Sequence, residues 1–264
     1  ELSIVLVILG LLTGGILGGQ ALIRAAELRS VSTDLAKYRT AVFSFRDKYF
    51  ALPGDMTNAT SFWGNASTGA VGGECAAPEV DGGTGALTCN GNGNGHIGRA
   101  TSTATNNSEA FRFWQQLANA GFIEGQYSGL AADLPAGGTG WRVAVPGTNI
   151  PRLRFGNAGI SVAAHAASSN GTGGADSWTG GDSGVIKNYA YFGAPTTGDL
   201  TWGPIFRPEE LWNIDTKNDD GRPGAGIVRS HAAINCTTGN DPFASNYSLT
   251  TSTVACTGLI DLGI

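Results

Sequence analysis

The segment from Asp215 to Gly221 has a composition that could bind a metal ion. It holds Asp215, Asn218, Asp219 and Asp220 within six residues, in a chain in which charged residues make up only 14%. Carboxylates so close together repel one another, and a cation or full solvent exposure relieves that repulsion. Calcium accepts oxygen ligands from flexible loops, so it suits this composition better than zinc. If calcium binds, Asp215, Asp219 and Asp220 are its expected side-chain ligands.

An ordinary turn explains the same segment. Lys217 stands where an EF-hand would have an oxygen ligand, and its ammonium could neutralise one aspartate. Asp220 and Gly221, followed by Pro223, are typical turn residues. The sequence therefore favours a solvated turn and keeps calcium as the alternative, so no cofactor is required.

A second loop, Asn90 to Ile97, has the side-chain spacing of the first half of an EF-hand. Its three possible ligands, Asn90, Asn92 and Asn94, are neutral, and Thr101 stands where the final glutamate belongs. Alternating Asn and Gly is typical of a tight turn, which is the favoured interpretation.

Catalytic chemistry finds no support in the sequence. The three histidines, His96, His165 and His231, are scattered, and none has a cysteine or a triad partner at a recognisable spacing. The nucleophile elbow, the phosphate loop and the HExxH zinc motif are all absent from the sequence. We therefore predict no enzyme. The net charge of −5, with no basic cluster outside the N-terminal region, also argues against nucleic-acid binding.

The N-terminal region sets the position of the rest of the chain. No charge occurs from Leu2 to Ile23, and an apolar run of this length predicts a membrane-spanning helix. After Arg24, apolar residues continue at alternating spacings of three and four, which predicts an apolar seam on one helix face. These seam residues are Leu28, Val31, Leu35, Tyr38, Val42, Phe45 and Tyr49. One helix over residues 1–52, ended by Pro53-Gly54, accounts for both patterns.

Glu1 precedes the apolar run. A carboxylate beside a membrane span is costly unless it is paired, which makes it a candidate functional residue. The segment Glu1-Leu-Ser-Ile-Val-Leu-Val-Ile-Leu-Gly-Leu-Leu resembles the N-terminal helix of type IV pilins and of the pseudopilins of type II secretion. In that family a glutamate is the fifth residue after cleavage by a prepilin peptidase. The resemblance implies that Glu1 is this residue and that four residues precede it.

Further segments of the chain resemble a large-pilin subgroup more weakly. They are Ala51–Asp55, Arg112–Leu117 and Trp212–Gly221. The resemblance implies a structural subunit of an extracellular pilus (fimbrium), a secreted helical polymer used for adhesion, motility or surface attachment. Its partners would be identical subunits, the inner-membrane assembly machinery and the prepilin peptidase that precedes N-methylation. The subunit would wait in the inner membrane, held by residues 2–23, and Glu1 would act in assembly.

Glycines interrupt the apolar run at Gly10, Gly14, Gly15, Gly18 and Gly19. Each costs about 1 kcal/mol of helix stability relative to Ala. Type IV pilins often carry a proline in this region, and Gly18 stands at the matching position. We expect an extended, non-helical segment within residues 10–19 of the assembled filament, with close helix packing by small residues as the alternative.

The four cysteines, Cys75, Cys89, Cys236 and Cys256, suggest two disulfides in an exported protein. Three pairings are possible, and proximity in sequence favours Cys75–Cys89 and Cys236–Cys256. The second resembles the C-terminal disulfide loop of many pilins. No Cys-x-x-Cys pair supports a zinc site.

The remainder, residues 53–264, predicts a Gly-rich globular head domain. Helices are expected over Ser108–Ala120 and at Pro208–Trp212. Strands are expected at Trp141–Val145, Arg152–Phe155, Gly159–Ala164, Val185–Phe192 and Ile227–Ile234, and residues 235–264 are expected to form a loop region. The predicted fold class is α+β, a long N-terminal helix packed on a head with an antiparallel sheet.

Two other functions fit the same features. A pseudopilin of a type II secretion system would share the helix but form a short periplasmic structure. A membrane-tethered binding protein that never polymerises would share the span but have no use for Glu1.

Overall fold

The computed structural model describes residues 2–66, 86–98, 109–131, 143–154, 156–166, 186–231, 235–239 and 244–264. Four helices occur in this part of the chain: α1 Leu2–Tyr49, α2 Thr60–Trp63, α3 Glu109–Asn119 and α4 Pro208–Asn218. Four strands accompany them: β1 Gly159–Ala166, β2 Ile186–Gly193, β3 Val228–His231 and β4 Thr257–Asp261. A long N-terminal helix combined with an antiparallel sheet is the α+β arrangement that the sequence predicts.

Helix α1 is 48 residues long and has two halves of different character. Its first half is exposed, and α1 is long and apolar enough to cross a membrane. The predicted seam of the second half is confirmed. Val31, Leu35, Val42 and Phe45 are buried in the core, and the other three seam residues pack against it.

Helix α1 ends at Tyr49, three residues before the predicted boundary at residue 52. Phe50 takes the left-handed conformation (φ 53°), and its N–H donates to the Arg46 carbonyl at 2.8 Å. The chain then reverses at Gly54, which has a φ of 83° and lies against the Glu109 carbonyl, where a Cβ would collide. Only glycine combines this conformation with so close an approach to α3.

The sheet has the strand order β1-β2-β4-β3, and every neighbouring pair is antiparallel. In the register, Tyr191 of β2 and Arg229 of β3 both lie opposite Leu259 of β4. Helix α3 packs against β1, and α4 packs against β3. The core lies between the sheet, these two helices and the second half of α1.

The prediction that residues 235–264 form only loop is wrong, because β4 lies between β2 and β3 in the sheet. Thr257 to Ile260 are all buried, so β4 lacks the alternation of apolar and polar residues that marks a half-exposed strand. Strands are also wrongly predicted at 143–145 and 152–154, where isolated bridges occur instead. Pro146 and Pro151 lack the N–H that a longer ladder needs.

The two predicted helices of the head form with shifted ends. Helix α3 ends at Asn119, and beyond it Gly121 N–H donates to the Ala118 carbonyl and Phe122 N–H to the Leu117 carbonyl. This pair of hydrogen bonds is a Schellman motif. Helix α4 continues to Asn218, well past the predicted end at Trp212. The predicted acidic loop therefore begins inside a helix.

Candidate functional site

The exposed first half of α1 carries most of the exposed large apolar side chains in the described part of the chain. Its large side chains are 50–75% exposed: Ile4, Val5, Leu6, Val7, Ile8, Leu9, Leu11, Leu12, Ile16, Leu17, Leu22 and Ile23. The hydroxyl of Thr13 donates to the Leu9 carbonyl at 2.9 Å, so this side chain is satisfied within the helix. The surface can be covered by lipid or by other helices, since water is a poor environment for it.

The five glycines of this half, Gly10, Gly14, Gly15, Gly18 and Gly19, are helical in the structure. A Cβ at any of them would meet no other part of the described chain within 4 Å. Packing among the described residues therefore does not explain the glycines. The predicted extended segment concerns the assembled filament and stays a prediction. Glu1, the predicted assembly residue, lies outside the described residues.

Arg24 joins the exposed half of α1 to the head. Its Nε donates to Glu210 Oε1 at 2.7 Å, and its Nη2 donates to Glu210 Oε2 at 2.6 Å and to the Ile205 carbonyl at 3.1 Å. Burial raises the pKa of Glu210, but the Arg24 guanidinium and the Arg207 N–H outweigh it and hold this pKa below its ordinary value. Glu210 is therefore ionised at neutral pH and pairs with Arg24.

Glu210 also caps α4. Its Oε2 accepts the Arg207 N–H at 2.8 Å, which forms a capping box at the start of the helix. At the other end of α4, Asn218 Nδ2 lies 3.4 Å from Ser32 Oγ of α1. Glu210 lies beside Arg24 and Asn218 beside Ser32, so α4 runs along α1 in the same direction. The sequence did not reveal this pairing, because 186 residues separate Arg24 from Glu210.

The acidic segment is the C-terminal end of α4 and the turn that follows it. Carboxylate oxygens of Asp215, Asp219 and Asp220 all lie within 4.8 Å of one another, and Asp215 is fully buried. Asp215 Oδ2 accepts the Tyr247 hydroxyl at 2.7 Å, and Asp215 Oδ1 accepts the Gly221 N–H at 3.0 Å. Asp219 accepts the N–H groups of Ile227 and Val228. The prediction of a solvent-exposed turn is therefore wrong for Asp215, which α4 carries into the core.

The three aspartates could hold either a cation or a proton. Burial raises the pKa of Asp215 to about 7, and the charges of Asp220 and Asp219 add to that rise, whereas the bonds from Tyr247 and Gly221 oppose it. A proton on Asp215 removes one of the three charges near neutral pH. A calcium ion would relieve the same repulsion while keeping all three carboxylates ionised.

Tyr247 connects this cluster to the C-terminal disulfide. Cys236 and Cys256 form a disulfide with a Cα–Cα distance of 5.0 Å, the pairing that sequence proximity favoured. Tyr247 lies in the loop that this bridge closes and is only 4% exposed. Cys75 lies outside the described residues, and its predicted partner Cys89 is fully buried. The Cys75–Cys89 bridge stays a prediction.

The loop from Asn90 to Ile97 is a set of turns around two carboxylates, as the favoured interpretation expected. Asp55 accepts the N–H groups of Gly93, Asn94 and Gly95 at 2.7–3.1 Å. Glu109 accepts those of Asn92 and Gly98 at 3.1 and 2.6 Å. The oxygens of the three asparagines also accept backbone N–H groups: Asn90 Oδ1 from Thr60, Asn92 Oδ1 from Asn94 and Asn94 Oδ1 from His96. The backbone N–H groups of the loop donate hydrogen bonds to internal carboxylates. A cation needs oxygen ligands, and N–H donors do not supply them.

The histidines do not converge. His96 lies in this loop, His165 on β1 and His231 on β3, where His231 packs against the rings of Trp202 and Tyr191. Within the described ranges, the metal-binding side chains come together at Asp215, Asp219 and Asp220. Comparison of the chain with family models, with curated proteins and with solved structures finds no match.

Proposed function

We propose that this chain is the structural subunit of an extracellular filament of the type IV pilin class and polymerises through its N-terminal helix. The observation that carries the proposal is the contrast within α1. Large apolar side chains between Ile4 and Ile23 are exposed, whereas the seam residues Val31, Leu35, Val42 and Phe45 are buried in the subunit's own head. The first half of α1 is therefore available for contacts with partners outside the subunit.

Hydrophobic burial supplies the driving force for assembly. Covering a Leu or Ile side chain contributes about 1.5–3 kcal/mol relative to water, and twelve large side chains of this half are exposed. Before assembly, lipid covers these side chains in the inner membrane. In the filament, the same half-helices of identical subunits cover them, and the heads form the outer surface that adheres to other surfaces. The assembly machinery and the prepilin peptidase are the further partners of this pathway.

Glu1 positions each subunit against its neighbour during assembly. We place its carboxylate against the N-terminal amine of an adjacent subunit, because a charge at the head of an apolar helix needs a partner once lipid or protein surrounds it. The glycines between Gly10 and Gly19 then allow an extended segment in the filament. Unbroken helical hydrogen bonding through residues 10–19 in a filament structure would refute that part of the proposal.

Electron microscopy tests the proposal. Material sheared from cells that express the chain is negatively stained and labelled with gold through an antibody against the head. Long thin fibres that carry gold along their length are the expected result. A chain that is present in the membrane but labels only membrane fragments would favour a tethered binding protein instead.

A further inference from the structure

We propose that the end of the head from which α1 emerges rests directly on the phospholipid bilayer before assembly. The inference rests on the membrane stage of the proposed function and adds a defined lipid-contacting surface to it. The contacting surface, here named the membrane-proximal face, consists of Arg24, Pro204, Arg207, Glu209 and Val254.

The length of the free half-helix sets the position of the head. Leu2 to Ile23 is about 33 Å long at 1.5 Å per residue, close to the roughly 30 Å of a bilayer's hydrocarbon core. Contact with the head begins at the next residue, Arg24. No spacer separates span and head. Arg24 therefore lies at the level of the lipid headgroups when residues 2–23 cross the hydrocarbon core.

Arg24 brings part of the head to the same level. Its bonds to Glu210 (2.7 and 2.6 Å) and to the Ile205 carbonyl (3.1 Å) hold the start of α4 and the segment before it. Because α4 runs along α1 in the same direction, with Asn218 beside Ser32, its N-terminal end points towards the membrane. The capping residue Arg207 and the first turn of α4 therefore face the headgroups.

The exposed residues of this face suit a bilayer surface. Arg207 and Glu209 are exposed charges of opposite sign, and Pro204 is exposed beside them. Val254 is 48% exposed and precedes Ala255, whose N–H donates to the Phe206 carbonyl at 3.0 Å. The guanidinium can donate to lipid phosphates, the carboxylate can accept from lipid ammonium groups, and the two small apolar side chains can enter the interface.

The charges of the face also decide which lipid it needs. Arg24 and Arg207 are outnumbered by the carboxylates at and beside the face, Glu27, Glu209 and Glu210, so there is no excess positive charge for an anionic surface to attract. A zwitterionic bilayer should be sufficient, and the contact should survive high salt because screening has little net attraction to remove.

Fluorescence quenching in nanodiscs tests the proposal on the full chain. Val254→Cys and Glu209→Cys carry a fluorophore, the discs contain zwitterionic phospholipid with brominated acyl chains, and peptide mapping verifies that Cys236–Cys256 is intact. Phe62→Cys is the matched control, since Phe62 is also an exposed apolar residue (55%) but packs on Tyr49 at the far end of α1. Leu12→Cys reports on the span itself.

We expect quenching at 254 and 209 to be at least about twofold stronger than at 62, because Tyr49 lies roughly 37 Å beyond Arg24 along α1. The difference should be the same in low and high salt. Strong quenching at 12 with equal, weak quenching at 254, 209 and 62 would overturn the membrane-proximal face while leaving the span in place. Absence of quenching at 12 would instead contradict the membrane stage of the proposed function.

Discussion

Arg24 and Glu210 form a two-contact ion pair, with 2.7 Å from Nε to Oε1 and 2.6 Å from Nη2 to Oε2. The pair lies where the apolar half of α1 ends and the head begins. The Arg24 side chain is 34% exposed and that of Glu210 is 12% exposed, so solvent screens the pair only partly. Paired guanidinium and carboxylate planes restrict orientation more than a single contact would. The pair therefore holds the start of α4 against α1 at this junction.

Removing the arginine should loosen this junction. We expect Arg24→Met to lower the free energy of unfolding by about 1–2 kcal/mol, since Glu210 loses its cationic partner but keeps the Arg207 N–H. Denaturant titration of the full chain in detergent micelles measures the change. Arg29→Met is the matched control, because Arg29 is an exposed arginine of the same helix, and it should change stability by less than about 0.5 kcal/mol. Equal effects of the two substitutions would contradict the role of the pair.

The buried Asp215 should make stability depend on pH. Its pKa is about 7 in the folded state and near 3.8 when unfolded, so the folded state binds the proton more tightly. In metal-free buffer this contribution is fully present below pH 3.8 and is lost as pH rises through 7. We expect the melting temperature to fall between pH 5 and 8, and Asp215→Asn, which cannot ionise, to reduce that fall. An unchanged pH dependence in the variant would show that another group is responsible.

If calcium binds Asp215, Asp219 and Asp220, it should stabilise the protein in the opposite pH range. Metal binding requires ionised carboxylates, so calcium should raise the melting temperature at pH 8 much more than at pH 5. The control is Glu124→Gln, which removes an exposed carboxylate elsewhere in the head and should leave the response to calcium unchanged. Identical melting curves in chelator and in calcium at pH 8, with no calcium found by elemental analysis, would show that the cluster binds no calcium.

The C-terminal disulfide should stabilise the head. Cys236 and Cys256 are 20 residues apart, and opening such a loop costs about 2–5 kcal/mol of stability. We expect that loss in the double variant Cys236→Ser, Cys256→Ser, together with a lower filament yield. Tyr247→Phe keeps the bridge but removes the hydroxyl bonded to Asp215, so it should cost only about 1–2 kcal/mol. A double variant as stable as the native chain would contradict the structural role of the bridge.

Local patterns predicted some elements and missed others. The spacing from Leu28 to Tyr49 specified the buried face of α1, because helical period and burial coincide there. Strand β4 escaped prediction because it is buried along most of its length and contains Gly258. Helix α4 continues beyond Trp212 because Ile214 and Asp215 are buried by tertiary packing. Intrinsic helix propensity does not reflect such packing.

Parts of the candidate site depend on residues that are distant in sequence. The proximity of Asp215, Asp219 and Asp220 was visible from their spacing. That Tyr247 donates to Asp215 was not, because the disulfide loop brings this tyrosine to the cluster from 32 residues away. The Arg24–Glu210 pair was equally hidden. Contacts of this kind follow from the assembled fold and leave no local pattern.

A count of gold-labelled fibres shows whether the chain forms filaments through its N-terminal helix. Sheared surface material is compared between cells that express the native chain, Glu1→Ala and the control Glu124→Ala, which removes an exposed carboxylate from the head. We expect abundant fibres from the native chain and the control. We expect few or none from Glu1→Ala, although that variant stays in the membrane at the native level. Normal fibre numbers in Glu1→Ala, or no labelled fibres from the native chain, would contradict assembly through the N-terminal helix.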